Sequence, residues 1–312
     1  MRGLSFGISL VALMAGSAAP AAGEGDKGAR WWAHVEALAN DAMEGRGTGT
    51  PGYDRAADYV IGQFKAMGLK PAGTQGYRQP VAFVEQRILS DKSSAALVGP
   101  QGEVPLAVPD DLIFGGGGGP VPESVDAPMV FVGYGLHLPE AGHDDFAGLD
   151  LKGKIVVVLS GGPATLSGAL KSHARSERSH WLAEQGALGL ITLVTPRQVE
   201  IPWVRRIALS GAPALYYSDV SLRDTQTPFL SAQLDPAKSD MLFAGSGQDF
   251  AAIVAAADAS APVPSFPLAL RLKAQVSATR ADLSSPNLIA VLPGSAPNLR
   301  QESAVPAVHL DG

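Results

Sequence analysis

The sequence predicts an α/β protein, and three observations carry that expectation. Apolar residues recur at helical spacing near the N-terminus, at Trp31, Val35, Leu38 and Ala42. Three short runs rich in β-branched residues, Pro128 to Leu136, Lys154 to Ser160 and Leu188 to Val194, have the length and texture of buried strands. Between the last two lies a helical pattern, Lys171 to Gln185, closed by Gly186, so this stretch reads as strand–helix–strand.

The elements follow in order. Residues 1–22 read as an export signal: Arg2 is its single positive charge, Leu4 to Ala15 is apolar, and Ala19-Pro20-Ala21 is a small-residue cleavage pattern. The apolar run is shorter than the roughly 20 residues of a membrane span, so no span is expected after cleavage, and the location is expected to be periplasmic or secreted. The first helix ends before a Gly/Thr loop, Glu44-Gly45-Arg46-Gly47-Thr48-Gly49. Thr50 and Pro51 are then suited to be N-cap and first residue of a second helix. That helix presents Ala56, Ala57, Val60, Ile61, Phe64 and Met67 on one face, and Gly68 suits a left-handed end.

From Thr74 to Asp111 the chain is polar and poorly periodic, with a short β-like piece at Ala95 to Val98. Gly115 to Gly119 then suggest a hinge. A phosphate-binding loop would need a preceding strand and a closing Gly-Lys-Ser/Thr, and neither is seen. Beyond the strand–helix–strand unit, Ala214 to Ser218 reads as a strand and Phe250 to Ala257 as a short helix. The Ala/Pro-rich stretch Ala259 to Pro267 reads as a second boundary. Leu268 to Ala274 and Asn287 to Leu292 then suggest a hairpin, and Ser303 to His309 a last strand in which Pro306 removes one backbone donor.

Composition narrows the chemistry. The 312 residues are 46% hydrophobic and carry a net charge of −6 with no basic stripe, which argues against nucleic acid as partner. Cysteine is absent, which excludes disulfides, a thiolate nucleophile, thiolate zinc sites and lipoprotein anchoring. No Gly-x-Ser-x-Gly elbow occurs. His173, Glu177 and His180 share a helix face, but Lys171, Arg175 and Arg178 make it a solvated, partly cationic one. His137 and His143 flank the acidic pair Asp144 and Asp145, which reads more simply as a polar surface loop than as a cation site. The Trp31-Trp32 pair reads as core or interface packing.

Three stretches together resemble one family. Leu38 to Tyr53 (LANDAMEGRGTGTPGY), with the helix to Gly68-Leu69-Lys70-Pro71, is similar to the N-terminal part of the di-zinc aminopeptidases, the family that includes glutamate carboxypeptidase and the transferrin-receptor ectodomain. Val130 to Gly135 (VFVGYG), Asp144-Asp145-Phe146 and Leu151 to Val158 (LKGKIVVV) resemble its inserted protease-associated domain. Ser285 to Ser295 (SPNLIAVLPGS), Glu302 and His309-Leu310-Asp311 resemble the return into the peptidase domain.

The resemblance implies an incomplete zinc-peptidase α/β domain, residues 23–114 and 261–312, interrupted by a β-rich protease-associated domain at 115–260. It implies that His309 is the first zinc ligand and that Asp311 belongs to the catalytic apparatus by orienting a ligand imidazole, with two zinc ions and peptide or protein substrates. The family's other ligands follow this motif, so a chain ending at Gly312 is expected to be truncated and inactive by itself. The rival expectation is a secreted, non-catalytic binding module. Limited proteolysis is expected to leave a core near Gly119 to Ala259.

Overall fold

The computed structural model describes residues 24–296 and 302–311; the expected signal segment lies outside the described residues. The fold is mixed α/β. Its strands are β1 (Lys70–Pro71), β2 (Arg78–Ile88), β3 (Ser94–Gly99), β4 (Gly102–Leu106), β5 (Leu112–Gly115), β6 (Ser124–Val132), β7 (His137–Leu138), β8 (His143–Asp144), β9 (Ile155–Leu159), β10 (Gly189–Leu193), β11 (Ala214–Tyr217), β12 (Leu230–Leu234), β13 (Ser265–Gln275), β14 (Ala278–Leu288) and β15 (Ala290–Val291). Its α-helices are α1 (Glu24–Leu38), α2 (Pro51–Ala66), α3 (Gly168–Glu184), α4 (Trp203–Ser210) and α5 (Phe250–Asp258). No helix among the described residues is long and apolar enough to cross a membrane.

The chain divides into two compact units, one of Gly73–Ile289 and one of the segments before and after it. The larger unit is built on an eight-stranded sheet in the order β4-β3-β13-β6-β9-β10-β12-β5. Its middle is parallel, β6 to β9 to β10 to β12, and its flanks are antiparallel. The helix α3 joins β9 to β10, as the strand–helix–strand pattern predicts. All five residues of β9 have no exposed surface. Alternation sends Ile155, Val157 and Leu159 into one core and Val156 and Val158 into the other. The first core also takes Ile253 and Ala257 of α5, and the second takes Leu182 of α3. A second sheet, β11-β2-β14, is wholly antiparallel.

Several sequence expectations do not hold. The stretch from Thr74 to Asp111 is not irregular but carries the eleven-residue strand β2 together with β3 and β4. Alternation in β2 is weak, because only Gln86 and Ile88 of it are buried. The five glycines do not form a hinge. Gly115 ends β5 in the large sheet, and the carbonyls of Gly116 and Gly119 accept hydrogen bonds from the buried Gln86 amide at 2.8 and 3.3 Å.

The Ala/Pro-rich stretch is not a unit boundary either, since Ser265, Phe266 and Pro267 already pair with Val132, Phe131 and Val130. The larger compact unit runs from Gly73 to Ile289. The expected hairpin does not form: β13 and β14 adjoin in sequence but pair in different sheets, β13 with β3 and β6 and β14 with β2. Residues 303–309 form no strand; they are exposed and irregular.

In the smaller unit, Thr50 caps α2 by accepting from the Tyr53 amide, with Pro51 in the first turn. Gly68 follows the helix at φ 72°. Ala56 and Ala57 are buried, but Met67 is 61% exposed. Trp31 and Trp32 of α1 are also more than half exposed, so core packing is not their role among the described residues. A two-residue ladder pairs Lys70 and Pro71 with Val291 and Ala290, tying the two segments of this unit together.

Two measurements check this architecture. Leu159→Ala should destabilise the larger unit by about 2–5 kcal/mol in denaturant unfolding. Val204→Ser, at a position 79% exposed, should change stability by no more than about 0.5 kcal/mol. Limited proteolysis should release a resistant fragment close to Gly73–Ile289. A fragment confined to Gly119 to Ala259 would strip β2, β3, β13 and β14 from their partners, and its recovery would contradict the strand order of the large sheet.

Candidate functional site

The residues that point to chemistry fall in two places, one in each unit. In the smaller unit, His309 and Asp311 stand on irregular chain, and no strand fixes them on one side. They meet nonetheless: His309 Nδ1 lies 3.2 Å from Asp311 Oδ1. The His309 side chain is 94% exposed. What holds the segment is a residue that sequence reasoning left without a role. Arg46 Nε donates to the Leu310 carbonyl at 2.9 Å, between the histidine and the aspartate. Its Nη1 donates to the Leu38 carbonyl at the end of α1.

The local sequence explains how Arg46 reaches both. Glu44 and Arg46 adopt left-handed backbone, φ 49° and 53°, around Gly45 at 73°. Such values are costly for residues with a Cβ and require support from the surroundings. The support comes from α2. Arg55 Nε donates to the Ala42 carbonyl at 2.7 Å, and its guanidinium pairs with Glu44 at 2.9 Å. Gly52 lets the first turn of α2 touch the loop, because a Cβ there would run into the Met43 carbonyl. The Gly/Thr loop thus meets the His309–Asp311 segment through the bond from Arg46 to the Leu310 carbonyl. The clue in the sequence was the pair of non-glycine residues set among the glycines.

The donor chemistry fits part of a zinc site. With Nδ1 engaged by the Asp311 carboxylate, Nε2 is left as ligand atom, the usual arrangement for a metal-bound histidine. A zinc site takes three or four protein ligands, and no group of three or more His, Cys, Asp or Glu stands together among the described residues. His309 and Asp311 therefore match one ligand and its orienting partner, and no further.

The second place is the face of the larger unit where β7, β8 and α3 meet. The two-residue ladder pairs His137 with Asp144 and Leu138 with His143. His137 Nδ1 is 3.1 Å from Asp144 Oδ1, and His143 Nε2 is 3.0 Å from Asp145 Oδ1. These separations suit ion pairs, although neither nitrogen is aligned for a hydrogen bond. Asp144 and Asp145 also accept the Phe146 and Leu136 amides, so each carboxylate has a backbone partner.

Burial raises the pKa of Asp145 above its ordinary value, against the lowering influence of the Leu136 amide, His143 and Arg178. On α3, His173 and Glu177 line a cleft of about 300 Å³. His180 is turned elsewhere: its Nδ1 donates to the Asp224 carbonyl at 3.0 Å. The His173, Glu177 and His180 triplet is therefore not assembled.

The raised pKa of Asp145 has a consequence with a definite sign. The folded protein binds this proton more readily than the unfolded chain does. The resulting stability is complete below the ordinary Asp range and is lost as pH rises through the raised folded value. Asp145→Asn should therefore make the slope of unfolding free energy against pH more positive between about pH 4 and neutrality. Denaturant titrations across that range read it; an unchanged slope would contradict the burial assigned to this carboxyl.

No protein-family model matches the chain, and no curated protein matches it. Among solved structures, it is similar to an aminopeptidase from Aneurinibacillus sp. strain AM-1, at 17% identity and a TM-score of 0.38, over 85% of this chain and 51% of that one. It is also similar to the subtilisin-like protease Apa1 from the Antarctic psychrotroph Pseudoalteromonas sp. AS-11, at 12% identity and a TM-score of 0.28, over 63% of this chain and 35% of that one. The chain thus spans about half the length of the first of these structures.

Proposed function

We propose that this chain is part of an exported, zinc-dependent aminopeptidase that hydrolyses N-terminal peptide bonds. The observation that carries the reading is the His309–Asp311 pair, 3.2 Å apart, on a segment gripped through Leu310 by Arg46. His309 Nε2 is the ligand atom in this reading. Asp311 fixes the imidazole tautomer by accepting from Nδ1, and Arg46 is a positioning residue that holds the backbone between them. Bound zinc would supply Lewis-acid polarisation of the peptide carbonyl and an activated water. The described residues supply one imidazole and one orienting carboxylate, so the 312-residue chain by itself is not expected to hold zinc tightly. In this reading residues 115–260 belong to an inserted protease-associated domain and residues 1–22 to an export signal.

A second reading is a non-catalytic binding module, favoured by the compact β-rich unit at Gly73–Ile289 with two cores of its own.

The two separate in one experiment. The gene is sequenced past codon 312, and the product it encodes is assayed for leucine-anilide hydrolysis with and without chelator. The peptidase reading expects a chelator-sensitive rate that His309→Ala lowers by at least about 10²-fold, about 2.7 kcal/mol of transition-state stabilisation. A product without such a rate would overturn it in favour of the binding module, and a chelator-sensitive rate indifferent to His309→Ala would overturn the role given to His309. The 312-residue chain alone is expected to show no chelator-sensitive rate.

A further inference from the structure

The antiparallel sheet β11-β2-β14 ends on β14, which is hydrogen-bonded to β2 and to no other strand among the described residues. At eleven residues β14 is the longest edge strand of the larger unit; β4, β5 and β11 have five, four and four. Thr279, Arg280, Ala281 and Asp282 are all exposed, so both faces of this part of the strand are open. A long exposed edge is a template for another strand unless charge, proline or a covering element blunts it.

The ladder shows which groups the edge presents. The Leu89 amide donates to the Ser277 carbonyl and the Ile289 amide to the Tyr77 carbonyl, each at 2.8 Å. Both pairs continue the unbroken register of β14 with β2. In an antiparallel pair, hydrogen-bonded and non-hydrogen-bonded residues alternate. The odd-numbered residues of β14 therefore turn their N–H and C=O to β2, and the even-numbered ones turn theirs outward. The far side of β2 agrees: Ala82, even-numbered, accepts there from the Ser218 amide at 3.0 Å. Outward groups thus belong to Ala278, Arg280, Asp282 and Ser284, and then to Pro286. At an outward position proline costs no bond to β2, and its missing N–H blunts that end of the edge. The outward groups of the other four have no backbone partner among the described residues.

The charges on this open stretch are complementary to a second copy of the same stretch. About a two-fold axis at Ala281, antiparallel pairing sets Arg280 of each copy opposite Asp282 of the other, and Ala278 opposite Ser284. Outward groups then meet outward groups at each of these pairs. Moving the axis to Arg280 or to Asp282 sets like charges opposite each other, which destabilises a cross-strand pair. At the axis two alanine side chains face each other, in a non-hydrogen-bonded pair whose Cα atoms approach to about 4.5 Å. Arg280 is already oriented, its Nε donating to Gln86 Oε1 at 2.9 Å and its Nη2 to the Val121 carbonyl at 3.1 Å, which leaves Nη1.

We infer that β14 is a self-docking edge: two copies of this protein pair antiparallel through Ala278 to Ser284, about an axis at Ala281, and join their sheets into one. The inference does not depend on the peptidase reading, since it uses no residue of the smaller unit.

The chain has no cysteine, so single-cysteine variants of the 312-residue protein read the register directly. Ala281→Cys should give a disulfide-linked dimer under mild oxidation, because the paired Cα atoms fall within the roughly 4.4–6.8 Å that a disulfide spans. Thr279→Cys should not, because the two copies of that residue stand four positions, about 14 Å, apart along the strands. Analytical ultracentrifugation of the unaltered protein should show a concentration-dependent dimer. Asp282→Arg turns both attractive pairs into repulsive ones and should weaken the dimer at least about tenfold. Arg280→Asp should do the same, and an equimolar mixture of the two variants should dimerise again, since each then offers the charge the other lacks. If Arg280→Asp does not fold, the cysteine variants and Asp282→Arg decide. A dimer indifferent to Asp282→Arg, or linkage through Thr279→Cys as readily as through Ala281→Cys, would overturn the inference. A monomer at every concentration would overturn it too, and would leave the edge to an extended segment of another protein.

Discussion

Five consecutive residues, Ile155 to Leu159, have no exposed surface, so both faces of the strand they form have to be covered by protein. That requirement organises the larger unit. One face needs α5 and the 3₁₀ segment Pro236–Phe243, which bring Ile253, Ala257, Leu242 and Phe243 to it. The other needs α3, which brings Leu182 and the half-buried Trp181. Each fully buried large aliphatic side chain contributes roughly 1.5–3 kcal/mol. A strand buried on both sides is therefore where a change of one methylene is felt most, and parallel neighbours on both sides leave it no edge.

The cleft is a product of the same constraint. To lie parallel to β6, β9 must be reached by a crossover, and that crossover carries Gly135, His137, Glu140 and Phe146 past the end of the sheet. Covering β9 with α3 then sets Arg178 and Trp181 beside it. Arg178 is buried because it occupies the helix face that must pack, one turn before Leu182. Its Nε finds the Gly135 carbonyl, which is available because positive φ at Gly133 and Gly135 takes the chain out of β6. The aromatic contacts of Trp181 with His137 and Phe146 close its wall.

In the smaller unit the controlling element is local. Glu44 and Arg46 are held in left-handed backbone by α2, and Arg46 thereby reaches two carbonyls far apart in sequence, Leu38 and Leu310. The close approach of α2 to the Gly/Thr loop is one that only a glycine at 52 permits. The His309–Asp311 pair gains its position from the Arg46 contact and not from strand geometry.

Local physics was legible in the sequence. The Thr50-Pro51 start of α2, the left-handed Gly68, the β-branched strands β9 and β10, and the helix between them follow from capping, backbone preference and periodicity. These depend on residues within a few positions of one another. Pairing was not legible. β2 alternates too weakly to announce itself and is fixed as a strand by eleven residues of β14, which lie 190 to 210 positions away. The glycines at 115 to 119 have hinge composition, yet Gln86 amide bonds pin them. Ala259 to Pro267 has linker composition, yet its end is the start of a central strand. The sequence likewise marked His309 and Asp311 as a chemical pair. It could not show that Arg46 holds them, nor that Arg178, one of several cations on a helix face that reads as solvated, is buried with a nitrogen left unpaired. Composition and periodicity report what a segment can do alone. Which segments meet, and which polar atoms are left over when they do, is decided by burial across the whole chain, and only the tertiary structure carries that.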